Sequence, residues 1–274
     1  MRKVATIILN RNLPTVTDKL VSHIKKYDGH ITDVFVVEAG SDKDKLSKNT
    51  TWHADWSEAV QIGLRYSRGM NYGLSNLYKE GKFSNYEAFF LITNDTRLDR
   101  VNSIEIMLKI FENIPRMAIL SPCSKKWGEK NLLIESTIKC FWYIHNNAFL
   151  IRKEFISQIC NKKFPDFYNF LFDGSNFRGY HAESELIAKA YVNDWCAGIT
   201  TDVWAEEDES YLLKKYDLIK TETQDRNLEL YVQEGLDWMK SKYGFTSRWQ
   251  MQQYVKLFYD KFFEMHPEYK KLKI

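Results

Sequence analysis

Apolar and polar positions follow two rhythms along this chain. Val4–Leu9 is rich in β-branched residues and apolar except at Thr6, which predicts a strand covered on both faces. Asn10–Pro14 is a polar turn whose proline suits a first helical turn. Val16, Leu20, Val21 and Ile24 then fall at helical spacing. The alternation repeats, with strands predicted at Asp33–Val37, Glu87–Ile92 and Met117–Leu120 and helices at Gly69–Tyr78 and Val101–Phe111. Further strand-like runs are Ala148–Ile151 and Gly198–Trp204.

Strands alternating with helices of this length predict an α/β fold with a mixed, mostly parallel sheet flanked by helices. Ligands of such sheets bind outside the carboxyl ends of the strands. The polar breaks after Leu9, Val37 and Ile92 are therefore the candidate site. From Ala205 the pattern changes, with Glu206–Glu209 reading as a charged hinge. Asp225–Lys242 and Arg248–Met265 then predict two long helices parted at Tyr243-Gly244. On the last helix Met251, Val255, Phe258, Phe262 and Met265 form one apolar stripe. It is expected to pack on the body of the protein or a second copy. The rival is peripheral membrane contact with help from Lys256, Lys261, Lys270, Lys271 and Lys273.

Composition narrows the class. In 274 residues, 39 Lys+Arg face 36 Asp+Glu, a net charge of +3 that gives no push toward nucleic acid. With 44% hydrophobic and 15% aromatic residues the chain can fill a core and is not a disordered polymer. The uninterrupted apolar runs, Ala88–Ile92 and Cys140–Ile144, fall far short of the ~20 residues of a membrane span. The apolar run at the start is too short for a signal peptide, and no small-residue cleavage site follows. A cytoplasmic protein is expected, either free or at the inner face of the membrane. Cys123, Cys140, Cys160 and Cys196 form no C-x-x-C pair and are expected reduced and mostly buried.

Four segments, in order, resemble family 2 glycosyltransferases of the GT-A fold. I-I-L-N-R-N, ending at Asn12, is similar to the opening strand and turn, with Leu9 where the family usually has proline. V-V-E-A-G-S-D, Val36–Asp42, is similar to V-D-x-G-S-x-D, with Glu38 replacing the Asp that contacts the nucleobase and ribose. R-G-M-N-Y-G-L, Arg68–Leu74, is similar to the G-x-x-x-A-x-N-x-G region, and F-L-I-T-N-D-T, Phe90–Thr96, to the L-N-x-D-T form of the metal-binding motif. The resemblance spans about Val4–Asp208. It implies a catalytic domain at 1–208, with a donor half at 1–122 and an acceptor half at 123–208, and a helical extension at 209–274. It also implies a nucleotide-diphosphate sugar as donor, held by Asn12, Glu38, Gly40, Ser41, Arg68, Asn71 and Asn94, with Mg²⁺ or Mn²⁺ at Asp95.

A general base is needed to take the acceptor hydroxyl's proton. Gly179–Leu186 opens an apolar-periodic helix and resembles the family's E-D-x-D-L, whose second acid is the base. Aligned on Leu186, the base is Glu183, with Glu185 in reserve and Ala182 where the family has its first Glu. His181 is expected to be structural. Trp204-Ala205-Glu206 has no histidine where many members bind the metal, so either Glu206 substitutes or the metal has fewer protein ligands. His145-Asn146-Asn147 falls where the family lies beside the donor sugar. Lys125–Lys130 reads as an acceptor-side loop or an exposed turn. The implied function is an inverting transfer to a glycan or lipid-linked acceptor, in bacterial surface polysaccharide synthesis. Its rivals are a catalytically silent carbohydrate-binding or scaffold protein, and a sugar-nucleotide pyrophosphorylase, which would want the glycine-rich phosphate loop that Asn10–Pro14 lacks.

Overall fold

Val4–Asn10 forms β1, an inner strand of the sheet in a computed structural model whose described residues are 3–144, 148–208 and 218–274. His145-Asn146-Asn147 and Glu209 lie outside the described residues. β2 (Thr32–Glu38) and β4 (Ala88–Thr93) flank β1 in parallel, and β3 (Thr50–His53) pairs in parallel with β2. Beyond β4 the direction changes. β8 (Ala148–Arg152) runs antiparallel to both β4 and β6 (Met117–Cys123), and β6 pairs in parallel with β9 (Cys196–Glu207). The short strands β5 (Thr96–Leu98) and β7 (Ile138–Cys140) lie antiparallel to β9.

Register lines up the strand ends that matter. Asn10 pairs with Glu38, and Leu9 pairs with both Val37 and Thr93. The turns after β1, β2 and β4 therefore open at one edge of the sheet. Helices α1 (Pro14–Tyr27) and α3 (Arg65–Lys79) pack on this parallel half. α3 sits unusually close because of two glycines. A Cβ at Gly69 would come within 2.3 Å of Leu9 Cδ1, and one at Gly73 within 2.9 Å of Ile7 Cγ2. This approach sets the first turn of α3 beside the strand ends. The short α2 (Ser57–Ile62) precedes it. α4 (Ser103–Asn113), α5 (Lys153–Ile159) and α6 (Ala182–Val192) serve the mixed half.

Two expectations need correction. Ala205–Glu207 is not the start of a hinge. These residues continue β9, pairing with Leu98, Arg97 and Thr96, a ladder too short to be read from periodicity. After α7 (Gln224–Tyr243), Gly244 ends the helix in the left-handed region at φ 75°. α8 (Arg248–Met265) then starts on a capping box of Ser247 and Gln250. Its buried stripe is Met251, Val255, Tyr259, Phe262 and Phe263; Phe258 is half-buried and Met265 is 61% exposed. The stripe drifts because 3.6 residues per turn carry the inner face past Phe258 to Tyr259. It joins the same core as the sheet, so this face is covered by the chain itself and is not offered to a membrane. Lys256 and Lys273 pair with Asp260, and Lys261 with Glu264. No described helix is long and apolar enough to cross a membrane.

Tyr259→Ala should cost about 3–5 kcal/mol, as truncating a buried aromatic does, whereas Met265→Ala should stay within about 0.5 kcal/mol. Urea unfolding of the two variants decides between the stripes; a larger loss at Met265 would restore the expected one.

Candidate functional site

The strand ends are tied together by one buried carboxylate. Glu38 is fully buried. Its Oε2 accepts from Asn10 Nδ2 at 2.7 Å and Ser41 Oγ at 2.5 Å; its Oε1 accepts from Ser47 N and Thr50 Oγ1, both at 2.9 Å. Asn10 Oδ1 in turn accepts from Asn94 Nδ2 at 2.8 Å, and Asn94 also donates to Thr17 Oγ1 at 3.0 Å. Asn12, left-handed at φ 56°, donates from Nδ2 to Asp42 at 3.1 Å and accepts Asp42 N–H at 2.8 Å. Its own N–H donates to Ser41 Oγ at 3.1 Å. Gly40 (φ 88°) is needed for a close approach to helix α2, since a Cβ there would lie 1.8 Å from Ala59 O. Asn12, Glu38, Gly40, Ser41 and Asn94 are thus brought together. Their polar groups shape the wall rather than reach out from it.

Arg68 and Asn71, expected among donor contacts, face the other way. Asn71 is fully buried and its amide holds the 167–172 loop, donating to Phe167 O and Phe172 O and accepting from Leu171 N and Phe172 N. Arg68 donates to Gly174 O at 2.8 Å and stacks over Tyr168 and Phe177. Both join α3 to the second half of the chain. The amide of Asn71 is taken up by these loop contacts, while Arg68 gives one hydrogen bond from Nε.

A cleft of about 200 Å³ opens beside this wall, lined by Asn10, Ala39 and Asp95 together with Arg11, Arg65 and Tyr66, which sequence reasoning missed. Leu218 closes one side. Nearby, Lys220 pairs with Asp42 at 2.5 Å, a bond that holds the Asp42 carboxyl below its usual range. Arg11 and Arg65 approach from different elements. Burial, then the charge of Arg65, brings the Arg11 guanidinium down to about 10. Burial, then Arg178, likewise lowers Arg65.

Asp95 sits at the turn between β4 and β5, which Thr93 and Thr96 close through a 2.9 Å hydroxyl bond. Glu206, the alternative metal ligand, has its carboxylate engaged by Ser124 Oγ at 2.9 Å and Lys125 N at 2.6 Å, and Asp208 pairs with Arg97. No group of three His, Cys, Asp or Glu side chains gathers among the described residues. The donor set therefore fits a divalent ion with one protein carboxylate and the rest of its shell from ligand phosphate and water, an arrangement Mg²⁺ accepts. It does not fit an all-protein cage.

The two acids of α6 divide sharply. Glu185 is buried and clamped by Tyr243 Oη and Lys242 Nζ, each at 2.6 Å, which fastens α7 onto α6. Glu183 faces tyrosines instead. Burial raises its carboxyl to about 7. The hydroxyls of Tyr66, Tyr143 and Tyr231 are pushed up by burial and next by the charge of Glu183. Tyr66, whose hydroxyl feels the charge of Glu183, lines the cleft as well. His181, left-handed at φ 59°, bonds Ser184 Oγ through Nδ1 at 2.9 Å and starts the helix.

No family model and no curated protein matches the sequence. Solved structures share its fold. GalNAc-T7, solved with UDP, GalNAc and Mn²⁺, superposes with a TM-score of 0.55 at 9% identity, over 98% of this chain and 57% of that one. S. aureus TarS gives 0.51 at 12% identity, over 99% of this chain and 50% of that one. The chain has a GT-A fold. It spans about half the length of these two proteins, and at such identities the likeness is one of fold. The GT-A arrangement accounts for the all-parallel first half and the antiparallel turn-over at β8.

An unfolded glutamate titrates near ~4.3, and Glu183 in the folded chain near 7. Between those values the folded state holds a proton the unfolded state has released, so this group lowers stability as pH rises through the window. Glu183→Gln removes the linkage. Its stability relative to the parent should grow by about 1–3 kcal/mol between pH 4.5 and 8. Urea unfolding across that range checks this; a constant difference would mean a solvated carboxylate.

Proposed function

We propose that this chain is a glycosyltransferase that moves a sugar from a nucleotide-diphosphate sugar to a hydroxyl of a glycan or lipid-linked acceptor, inverting the anomeric centre. The observation that carries the reading is Glu183: a carboxyl held near 7 by burial, its charge felt by Tyr66 on the wall of a cleft at the strand ends of a GT-A fold. A base with that pKa is half-ready at neutral pH and holds its proton well once it has taken it. Glu183 accepts the acceptor hydroxyl's proton. The freed oxygen pair forms the bond to the anomeric carbon, and the pair of the breaking glycosidic bond leaves with the diphosphate.

Asp95 holds Mg²⁺ or Mn²⁺ in this reading, and a bound ion would offset charge growing on the diphosphate. GalNAc-T7, which shares the fold, was solved with UDP, GalNAc and Mn²⁺, and this supports a nucleotide-sugar donor. Glu38 acts from behind, fixing Asn10, Ser41 and the 47–50 turn so that the cleft keeps its shape. Asn12 shapes the neighbouring turn. Synthesis of a bacterial surface polysaccharide remains the setting proposed for the reaction.

Glu183→Gln should leave donor binding intact and lower kcat by roughly 10²–10⁴, the usual worth of general base catalysis, with little change in donor KM. Glu185→Gln should instead loosen α7 and lower the melting temperature. Release of nucleoside diphosphate, followed with an acceptor panel, decides: near-parental kcat for Glu183→Gln refutes the base, and donor binding without any release marks a silent binder. Asp95→Asn should keep the fold but lose the gain in nucleoside-diphosphate affinity that Mn²⁺ confers. Calorimetric titration with and without Mn²⁺ measures that gain, and an unchanged gain removes Asp95 from the metal.

A further inference from the structure

We infer that Arg11 and Arg65 form a guanidinium seat for the diphosphate of the donor, so that the cleft binds this group through its own cations as well as through an ion at Asp95. The inference rests on the glycosyltransferase reading and deepens it. Both arginines line the cleft that holds Asp95. Arg11 comes from the turn after β1, while Arg65 begins α3 in a left-handed conformation at φ 56°.

Their carboxylate partners are unequal. Behind them, Glu222 bridges Arg65 at 3.1 Å and Arg178 at 2.7 Å, and Glu234 pairs with Arg178. Arg11 has no carboxylate partner among the described residues; it donates only to the carbonyls of Val60 at 3.3 Å and Gln61 at 3.1 Å. Asp42 and Glu222 act on Arg11 through their charge alone, with no hydrogen bond or ion pair to it among the described residues. Burying like charges side by side costs free energy that only an anion at the same place recovers. Burial, then the charge of Arg65, already lowers the Arg11 guanidinium.

The unused donors point to the same ligand. Arg11 Nε, Arg65 Nε and Tyr66 Oη are buried without a hydrogen-bond partner. All three belong to residues on the wall of one cleft. Space for the Arg11 head is built in, because a Cβ at Gly63 would lie 1.7 Å from its Nη1. Guanidinium forks match the spaced oxygens of phosphate groups, and the first turn of α3 adds donors and partial positive charge beside them.

The test is calorimetric titration of the full chain with uridine diphosphate, guanosine diphosphate and inorganic pyrophosphate, in EDTA and in Mn²⁺. Binding of pyrophosphate and of at least one nucleotide should persist in EDTA. Arg11→Gln and Arg65→Gln should each weaken it by about tenfold or more, the worth of a lost charge-assisted bond, and Arg65→Lys should recover only part. Thermal melting checks that the variants fold; if one does not, the parent's behaviour in EDTA decides alone. Binding by the parent in Mn²⁺ but not in EDTA, or unchanged affinity in both Gln variants, overturns the arginine seat and leaves the glycosyltransferase reading standing. No binding of either nucleotide in any condition overturns that reading as well.

Discussion

A carboxyl group with no exposure to water must have its oxygens answered by hydrogen-bond donors. Glu38 is in that position, and its answer comes from four donors on both sides of the strand-end turns. Because the donors belong to residues 10, 41, 47 and 50, satisfying one side chain ties the turn after β1 to both ends of the β2–β3 connection. Asn10 passes the constraint on to Asn94, beside Asp95, so the turns after β1, β2 and β4 are set by a single network. The shape of the cleft depends on this interaction before it depends on any ligand.

Helix α3 carries the same order across the molecule. Two glycines press it against β1, which places Arg65 and Tyr66 at the cleft. Further along the helix, Arg68 and Asn71 grip the 167–174 segment of the second half. α7 closes the other side, with Lys242 and Tyr243 on Glu185 and Tyr231 near Glu183. The helices after β9 are therefore walls of the site as well as covers of the core, since α8 buries its aromatic stripe in the body formed by the sheet.

The cleft and the proposed base differ in electrostatic character. Arg11 and Arg65 keep unused donors at the cleft, and burial lowers both guanidiniums. Around Glu183 stand tyrosines, and burial raises the carboxyl toward its neutral form. A reaction that releases an anion on one side and takes up a proton on the other is well served by that division. Tyr66 lines the cleft and feels the charge of Glu183.

The hydrophobic pattern by itself determined the strands β1, β2, β4 and β6 and the helices between them, because a buried strand and an amphipathic helix each need their own period. The strand-end rule then located the three turns of the site. Elements of three to six residues, such as α2, β3, β5 and β7, carry too few positions to show a period, and so β9 was read as ending early. Local pattern also could not separate Glu183 from Glu185, which lie roughly 200° apart on a helix of 3.6 residues per turn; only packing of α7 decided which is clamped and which faces the tyrosines. Arg11 and Arg65, 54 positions apart in the sequence, share no local signal. Their meeting is a product of α3 lying on β1, and charge crowding in a cleft exists only once the chain has brought distant residues together.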